Sequence, residues 1–181
     1  MNFIIDYDIA LLRWVQANRL EYLDNFLYWV SFSTTFVSIG ILFMLLYQAY
    51  LRNHWTVESF FVKLLSMFLA SALVSTLLKN SFERVRPFVT YTDIAKLSEA
   101  GSYSFPSGHT AEAFTIAIGT LLIFRNKLYA LPIFLWALLV AYSRMSLGVH
   151  YPTDVFVAII LAIVICFSIN NIYKKWIIQI E

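Results

Sequence analysis

The chain has 181 residues, of which 60% are apolar and 13% charged, with a formal net charge of +2. A soluble domain carries about half apolar and about a quarter charged residues, so this composition marks lipid as the main solvent. So small a net charge, without a basic run or an RNA-type motif, excludes nucleic acid as a partner.

The chain opens on Phe3 to Val15, an apolar stretch interrupted by Asp6, Asp8 and Arg13. It reads as an interfacial amphipathic helix or as a poor sixth span. With two early acids and no basic n-region it is not a cleavable signal peptide. Phe26, Tyr28, Trp29 and Phe32 then suit a membrane boundary. Five apolar runs follow: Thr35 to Leu51, Phe60 to Leu78, His109 to Phe124, Leu128 to Tyr142 and Val155 to Ile172. A crossing helix needs roughly 20 residues, with about 17 tolerated. In lipid each run must be helical, because backbone groups have to be satisfied internally. The expectation is one all-α integral membrane domain over residues 1–181: a six-helix bundle with five crossings plus the N-terminal helix. Cys166, the lone cysteine, sits in the last run as a lipid-facing or packed thiol and excludes an internal disulfide or a multi-cysteine metal site.

Sidedness follows from the basic residues between spans. Arg52, Lys63, Arg125, Lys127, Lys174 and Lys175 fall on one face, and Arg13, Arg19, Lys79, Arg84, Arg86, Lys96 and Arg144 on the other. If Lys79, Arg86 and Arg144 serve a site, the first face carries the surplus and is cytoplasmic by the positive-inside rule.

Three clusters then fall on the second face. Lys79, Arg86 and Pro87 follow the second run; Pro106, Ser107, Gly108 and His109 open the third; Ser143 and Arg144 close the fourth, with His150 and Asp154 opening the fifth. Ionisable residues at the edge of the hydrocarbon are costly and point to function. Two arginines and a lysine can surround a tetrahedral anion. Ser107 is placed to cap a helix whose free N–H groups, Gly108 included, face an anion. His109 and His150 offer a nucleophile and an acid, and Asp154, four residues after His150, can fix the ring's tautomer. Each cluster alone has a plain explanation: snorkelling anchors, a helix entry, a satisfied pair. Their joint placement on one face is what singles them out.

Lys79-x6-Arg86-Pro87, then Pro106-Ser107-Gly108-His109, then Ser143-Arg144-x5-His150-x3-Asp154 resembles the signature of the type 2 phosphatidic acid phosphatase superfamily. The match covers less than half of the chain, without a departure inside the motifs. The short N-terminus resembles the compact bacterial members, of the undecaprenyl-diphosphate phosphatase and phosphatidylglycerophosphatase B kinds. The resemblance implies a lipid phosphatase using a phosphohistidine and no metal or other cofactor. His150 would be the nucleophile, Asp154 its orienting carboxylate and His109 the acid and base. Lys79, Arg86, Ser107, Gly108 and Arg144 would hold the phosphoryl oxygens. It also implies a bacterial inner membrane with the site facing the periplasm or the exterior. Undecaprenyl diphosphate is the favoured substrate, on compactness, ahead of phosphatidic acid, phosphatidylglycerol phosphate and lipid A phosphates.

Glu83, Glu112 and Ser143 remain candidates for substrate recognition or for supporting the site. Glu112 is a carboxylate inside a span, three residues after His109, but the remaining histidine, His54, maps to the opposite face and leaves too few ligands for zinc. Phe88 to Phe105 reads as the mouth, where Asp93, Lys96 and Glu99 are placed to sort head groups. Two rivals stand: a non-enzymatic lipid-binding or transport protein, for which repeats and broken helices are missing, and a haloperoxidase-like activity, which the membrane spans disfavour.

Overall fold

The computed structural model describes residues 3–52, 55–123 and 127–178, and among them every regular element is helical. Helix α1 runs Phe3–Ala17; a short 3-10 turn, Glu21–Leu23, leads into α2, Asp24–Phe32. Then come α3 (Thr34–Arg52), α4 (Trp55–Phe82), α5 (Pro87–Thr90), α6 (Gly108–Ile123), α7 (Lys127–Ser146) and α8 (Pro152–Ile178). The expected breaks at Asn53-His54 and Arg125-Asn126 lie outside the described residues, and so does the placement of His54.

The α2 and α3 segments meet at a 44° bend and act as one broken rod. Counted so, α1, α2–α3, α4, α6, α7 and α8 make the six-helix bundle expected from the sequence. Among the described residues α4 and α8 are by themselves long and apolar enough to cross a membrane, while α6 and α7 are shorter apolar helices. Their outward faces carry Leu73, Leu77, Phe156 and Ile160, all exposed, as a lipid-facing surface requires.

Helix α6 is the axis of the bundle and packs against α3, α4, α7 and α8. Small residues allow this: Ala111, Ala113, Ala117 and Gly119 are buried and let neighbouring backbones approach. A Cβ on Gly119 would stand 2.3 Å from Leu64 Cδ1 of α4. Hydroxyl groups join the same helices: Thr115 Oγ1 donates to Ser71 Oγ at 2.9 Å. The Cys166 thiol donates to Thr115 O at 3.6 Å, so it is packed against α6 rather than facing lipid. At 16 residues, α6 spans about 24 Å against a hydrocarbon core of about 30 Å.

Helix α1 lies across the end of the bundle. Asp8 binds the start of α8 through Thr153 N at 2.9 Å, Arg13 binds Asp93 at 2.7 Å, and Gln16 binds Ala95 O at 3.0 Å. These contacts span most of its length and all reach the connections at one end. Its other face, with Tyr7, Leu11 and Trp14, is exposed.

Gln16 also donates to Ser146 O at 3.3 Å, clasping the turn between α7 and α8 to the 93–97 segment, where Leu97 N donates to Leu147 O at 3.0 Å. Gly148 occupies that turn at φ +72°, and a Cβ there would meet Ala95 O at 2.0 Å. We expect Gly148→Ala to cost about 1–3 kcal/mol through backbone strain and this clash. The thermal unfolding midpoint in detergent measures it; an unchanged midpoint would show that the turn relaxes freely.

Candidate active site

Four helix ends converge beneath α1. The last turn of α4 brings Lys79; the segment leading to Pro87 brings Arg84 and Arg86; the start of α6 brings Ser107, Gly108 and His109; the end of α7 and start of α8 bring Arg144, His150 and Asp154. Alternating helix directions thus unite the three sequence clusters. Lys79, Arg86, Gly108, His109, Arg144 and His150 line one cavity of about 380 Å³.

The cations are caged by backbone carbonyls rather than by carboxylates. Lys79 Nζ donates to Tyr103 O at 2.9 Å. Arg86 donates to Ser102 O at 2.7 Å and to Val149 O at 2.8 Å. Arg144 donates to the buried Ser31 Oγ of α2, while its Nε is buried and unpartnered. The 99–103 segment is therefore both wall and mouth, as expected for part of Phe88 to Phe105. Within that stretch Asp93 is held by Arg13 outside the cavity, and Lys96 pairs with the exposed Glu99 at 3.4 Å.

His150 is buried in the turn between α7 and α8, where the Arg144 carbonyl accepts its backbone N–H at 3.2 Å. Arg86 Nη1 stands 3.2 Å from His150 Nε2, and Asp154 Oδ2 stands 3.4 Å from Nδ1. A guanidinium can only donate, so Nε2 must accept, and the ring hydrogen belongs on Nδ1, toward Asp154. Burial above all, and then the charges of Arg144 and Arg86, hold this imidazole well below its ordinary pKa. A neutral ring with its Nε2 lone pair directed at a cationic cavity can attack an electrophilic phosphorus. His109, one helix away, can exchange a proton with an oxygen bound there.

Other sequence candidates take different places. Ser107 is fully buried at the α6 start, its carbonyl accepting from Ala111 N at 3.0 Å and its hydroxyl meeting Thr110 Oγ1 at 2.9 Å. A Cβ on Gly108 would meet only Lys79 Cε at 3.9 Å, so the glycine keeps the wall open without being forced by a close approach. Ser143 Oγ donates back to Val140 O at 2.7 Å, away from the cavity. Glu83 is exposed, at φ 46°, where the chain leaves α4. Glu112 lines the cavity. Among the described residues no group of His, Cys, Asp or Glu side chains is gathered to hold a metal ion.

Sequence reasoning missed Arg84, Asp8 and Ser31. Arg84 donates to Asp154 Oδ1 at 2.6 Å, to Thr153 Oγ1 at 2.7 Å and to Asp8 Oδ2 at 2.5 Å, with its guanidinium 3.8 Å above the Tyr151 ring. It joins α1, the α4 exit and α8 behind His150. Its only sequence signal is a third basic residue between Lys79 and Arg86.

The PAP2 superfamily model matches residues 60–178. A lipid A 4'-phosphatase of Porphyromonas gingivalis is 32% identical over 96% of this chain and 75% of its own length. Undecaprenyl-diphosphatase BcrC of Bacillus subtilis is 35% identical over 55% of this chain and 50% of its own length. The crystal structure of a transmembrane PAP2 type phosphatidylglycerolphosphate phosphatase from Bacillus subtilis superposes with a TM-score of 0.79, at 25% identity, covering 97% of this chain and 88% of that one.

Removing Arg84 leaves two buried carboxylates, Asp8 and Asp154, without their cation. Breaking such a cluster costs about 3–5 kcal/mol. Arg84→Met is expected to lower unfolding stability in detergent by about that much, and Asp8→Asn on top of it to cost far less than Asp8→Asn alone. Additive effects of the two substitutions would show that the cluster does not act as a unit.

Proposed function

The chain belongs to the PAP2 superfamily, and from that premise we propose that it dephosphorylates a membrane lipid phosphate through a phosphohistidine formed on His150. The enzyme is a hydrolase of phosphoric esters. The observation that carries the mechanism is the His150 ring, with Nε2 beside Arg86 in the cavity and Nδ1 toward Asp154.

In the first step the Nε2 lone pair attacks phosphorus, the P–N bond forms and the bond to the lipid oxygen breaks. His109 gives that oxygen its proton. Asp154 stabilises the positive charge arising on the imidazole. In the second step His109 takes a proton from water, the resulting hydroxide attacks phosphorus, and the P–N bond breaks to return neutral His150. Lys79, Arg86, Arg144 and the Ser107–Gly108 N–H groups hold the phosphoryl oxygens throughout. Such preorganised charge is usually the largest catalytic contribution, and proton transfer adds roughly 10²–10⁴-fold. These three cations fill the charge-neutralising role themselves, so activity should persist in chelator.

The substrate we favour is a phosphorylated glycolipid of the lipid A kind, ahead of undecaprenyl diphosphate. Compactness pointed to the latter, but the lipid A 4'-phosphatase aligns with 96% of this chain at 32% identity, against 55% for the undecaprenyl-diphosphatase of Bacillus subtilis and 83%, at 27% identity, for that of Sulfolobus acidocaldarius. The host membrane is the bacterial inner membrane, with the site on the outer face. The raw count of basic residues, six on the Arg52, Arg125 and Lys174 face against seven, does not decide; with Lys79, Arg86 and Arg144 set aside as site residues it becomes six against four, which supports that orientation.

Phosphate release by the purified protein, in detergent with chelator, tests the mechanism against a panel of lipid phosphates. His150→Ala should lose about 10⁴-fold or more in kcat while unfolding at the parent midpoint. Full activity in that variant would remove His150 as nucleophile. For orientation, a reporter fused after Glu181 should be active in the cytoplasm; activity outside would invert the assigned topology.

A further inference from the structure

The cavity does not end at the phosphoryl site. From Lys79 it continues along one face of α4, past Ser75 and Ser71 to Phe68, with Glu112 of α6 opposite. Ser75 and Ser71 lie four and eight residues before Lys79 on the same helix, so they occupy successive turns below it. Glu112 lies three residues after His109, about 4.5 Å farther along α6. This extension points from the helix ends toward the interior of the bilayer.

Two polar atoms in it lack partners. Ser75 Oγ and Glu112 Oε1 are both buried without a hydrogen bond of ordinary geometry among the described residues, whereas Glu112 Oε2 accepts from Thr35 Oγ1 at 3.1 Å and the Ser38 hydroxyl also lies beside the carboxyl. A buried polar group without a partner is destabilising, and a carboxyl within a span is costlier still. Both residues line one cavity from facing walls, and their unpartnered oxygens, covered from water in this structure, are polar atoms that a ligand donor would satisfy after a turn of either side chain. Arg144 Nε, buried and unpartnered at the phosphoryl end of the same cavity, is the third.

The direction identifies the ligand. The lipid oxygen that leaves phosphorus meets His109. The rest of the leaving group must run from there toward its tails, and so past Glu112 and Ser75. The cations lining the cavity, Lys79, Arg86 and Arg144, all belong to the phosphoryl end. A diphosphate would place its second phosphate at the Glu112 level, without a cation to meet it. A sugar or glycerol unit would place hydroxyl or amide N–H donors there.

We propose that Glu112 and Ser75 form a subsite that recognises hydrogen-bond donors on a sugar or glycerol unit adjoining the scissile phosphate, and so selects such leaving groups over prenyl diphosphates and phosphatidic acid. This rests on the lipid phosphatase reading. Glu112 accepts from the leaving group at Oε1 and stays anchored by Thr35 at Oε2. The subsite sets specificity, while the phosphoryl chemistry stays with His150 and His109.

The test measures kcat/KM of the parent, Glu112→Ala and Ser75→Ala on four lipids: a lipid A phosphate, phosphatidylglycerol phosphate, phosphatidic acid and undecaprenyl diphosphate. The parent should prefer the first two, and the higher of them tells sugar from glycerol. Losing a hydrogen bond to a charged acceptor is worth about tenfold or more. Glu112→Ala should therefore shrink the preference for donor-bearing substrates over phosphatidic acid by at least about tenfold. Ser75→Ala, which removes an unpartnered hydroxyl, should move the same ratio the same way by a smaller factor. Equal loss on all substrates, or an unmoved ratio in a folded Glu112→Ala, would overturn the subsite and leave the phosphatase standing. A parent that prefers undecaprenyl diphosphate would also overturn it. A parent inactive on all four would instead sink the phosphatase reading itself.

Discussion

Everything in this molecule is arranged around positive charge that the protein does not itself neutralise. Lys79, Arg86 and Arg144 share one cavity near the hydrocarbon edge, where like charges repel with little screening. The obvious internal counter-ion is Asp154, but it is already bound to Arg84 at 2.6 Å, and Arg84 is in turn held by Asp8. Lys79 and Arg86 are instead oriented by neutral carbonyls of Gly101, Ser102, Tyr103 and Val149, and Arg144 by the Ser31 hydroxyl. Carbonyl dipoles fix direction without cancelling charge. A cavity so built lacks only an anion, and a tetrahedral phosphoryl group answers the several directions from which donors point.

This constraint explains why elements far apart in the chain must meet. The carbonyl cage needs the 99–103 segment, which is positioned by α1 through Arg13, Gln16 and their partners at Asp93 and Ala95. His150 needs the α7–α8 turn, which Gln16 and Gly148 hold against that same segment. Asp154 needs Arg84, and Arg84 needs Asp8 from α1. Helix α1 is therefore a clamp for the site. The short α6 supplies the other requirement: its start brings Gly108 and His109 to the cavity, while its remainder is packed on nearly every side.

Much of this was legible in the residues. Apolar runs separated by charged breaks located the helices, because lipid leaves the backbone no alternative. Lys79, Arg86, His109, Arg144 and His150 were legible as one site because alternating crossings put their clusters on one face. Arg84 and Asp8 were not. In the sequence Arg84 is one more basic residue at a helix exit, and Asp8 an interruption in an apolar run; their pairing exists only once α1 folds across the bundle end. The same limit separates Ser143 from Ser31. Ser143 stands inside a motif yet bonds back into its own helix, while Ser31, in an aromatic stretch without a motif, receives Arg144. Local pattern encodes which face a side chain occupies, not which distant segment meets it.

The two walls of the cavity divide the enzyme's work by depth. At the helix ends, fixed donors serve what all lipid phosphates share, and selection there is weak because every substrate presents the same oxygens. One turn deeper, substrates differ: a second phosphate, a sugar, a glycerol or bare ester linkages. One oxygen of a carboxyl and a hydroxyl left unpartnered at that depth lower stability unless something polar binds there. Discrimination comes from such groups because a substrate without matching donors leaves them buried and unsatisfied. The chemistry common to the superfamily and the choice of lipid can therefore be altered separately, the first at the α7–α8 turn and the start of α6, the second deeper, where α4 faces α6.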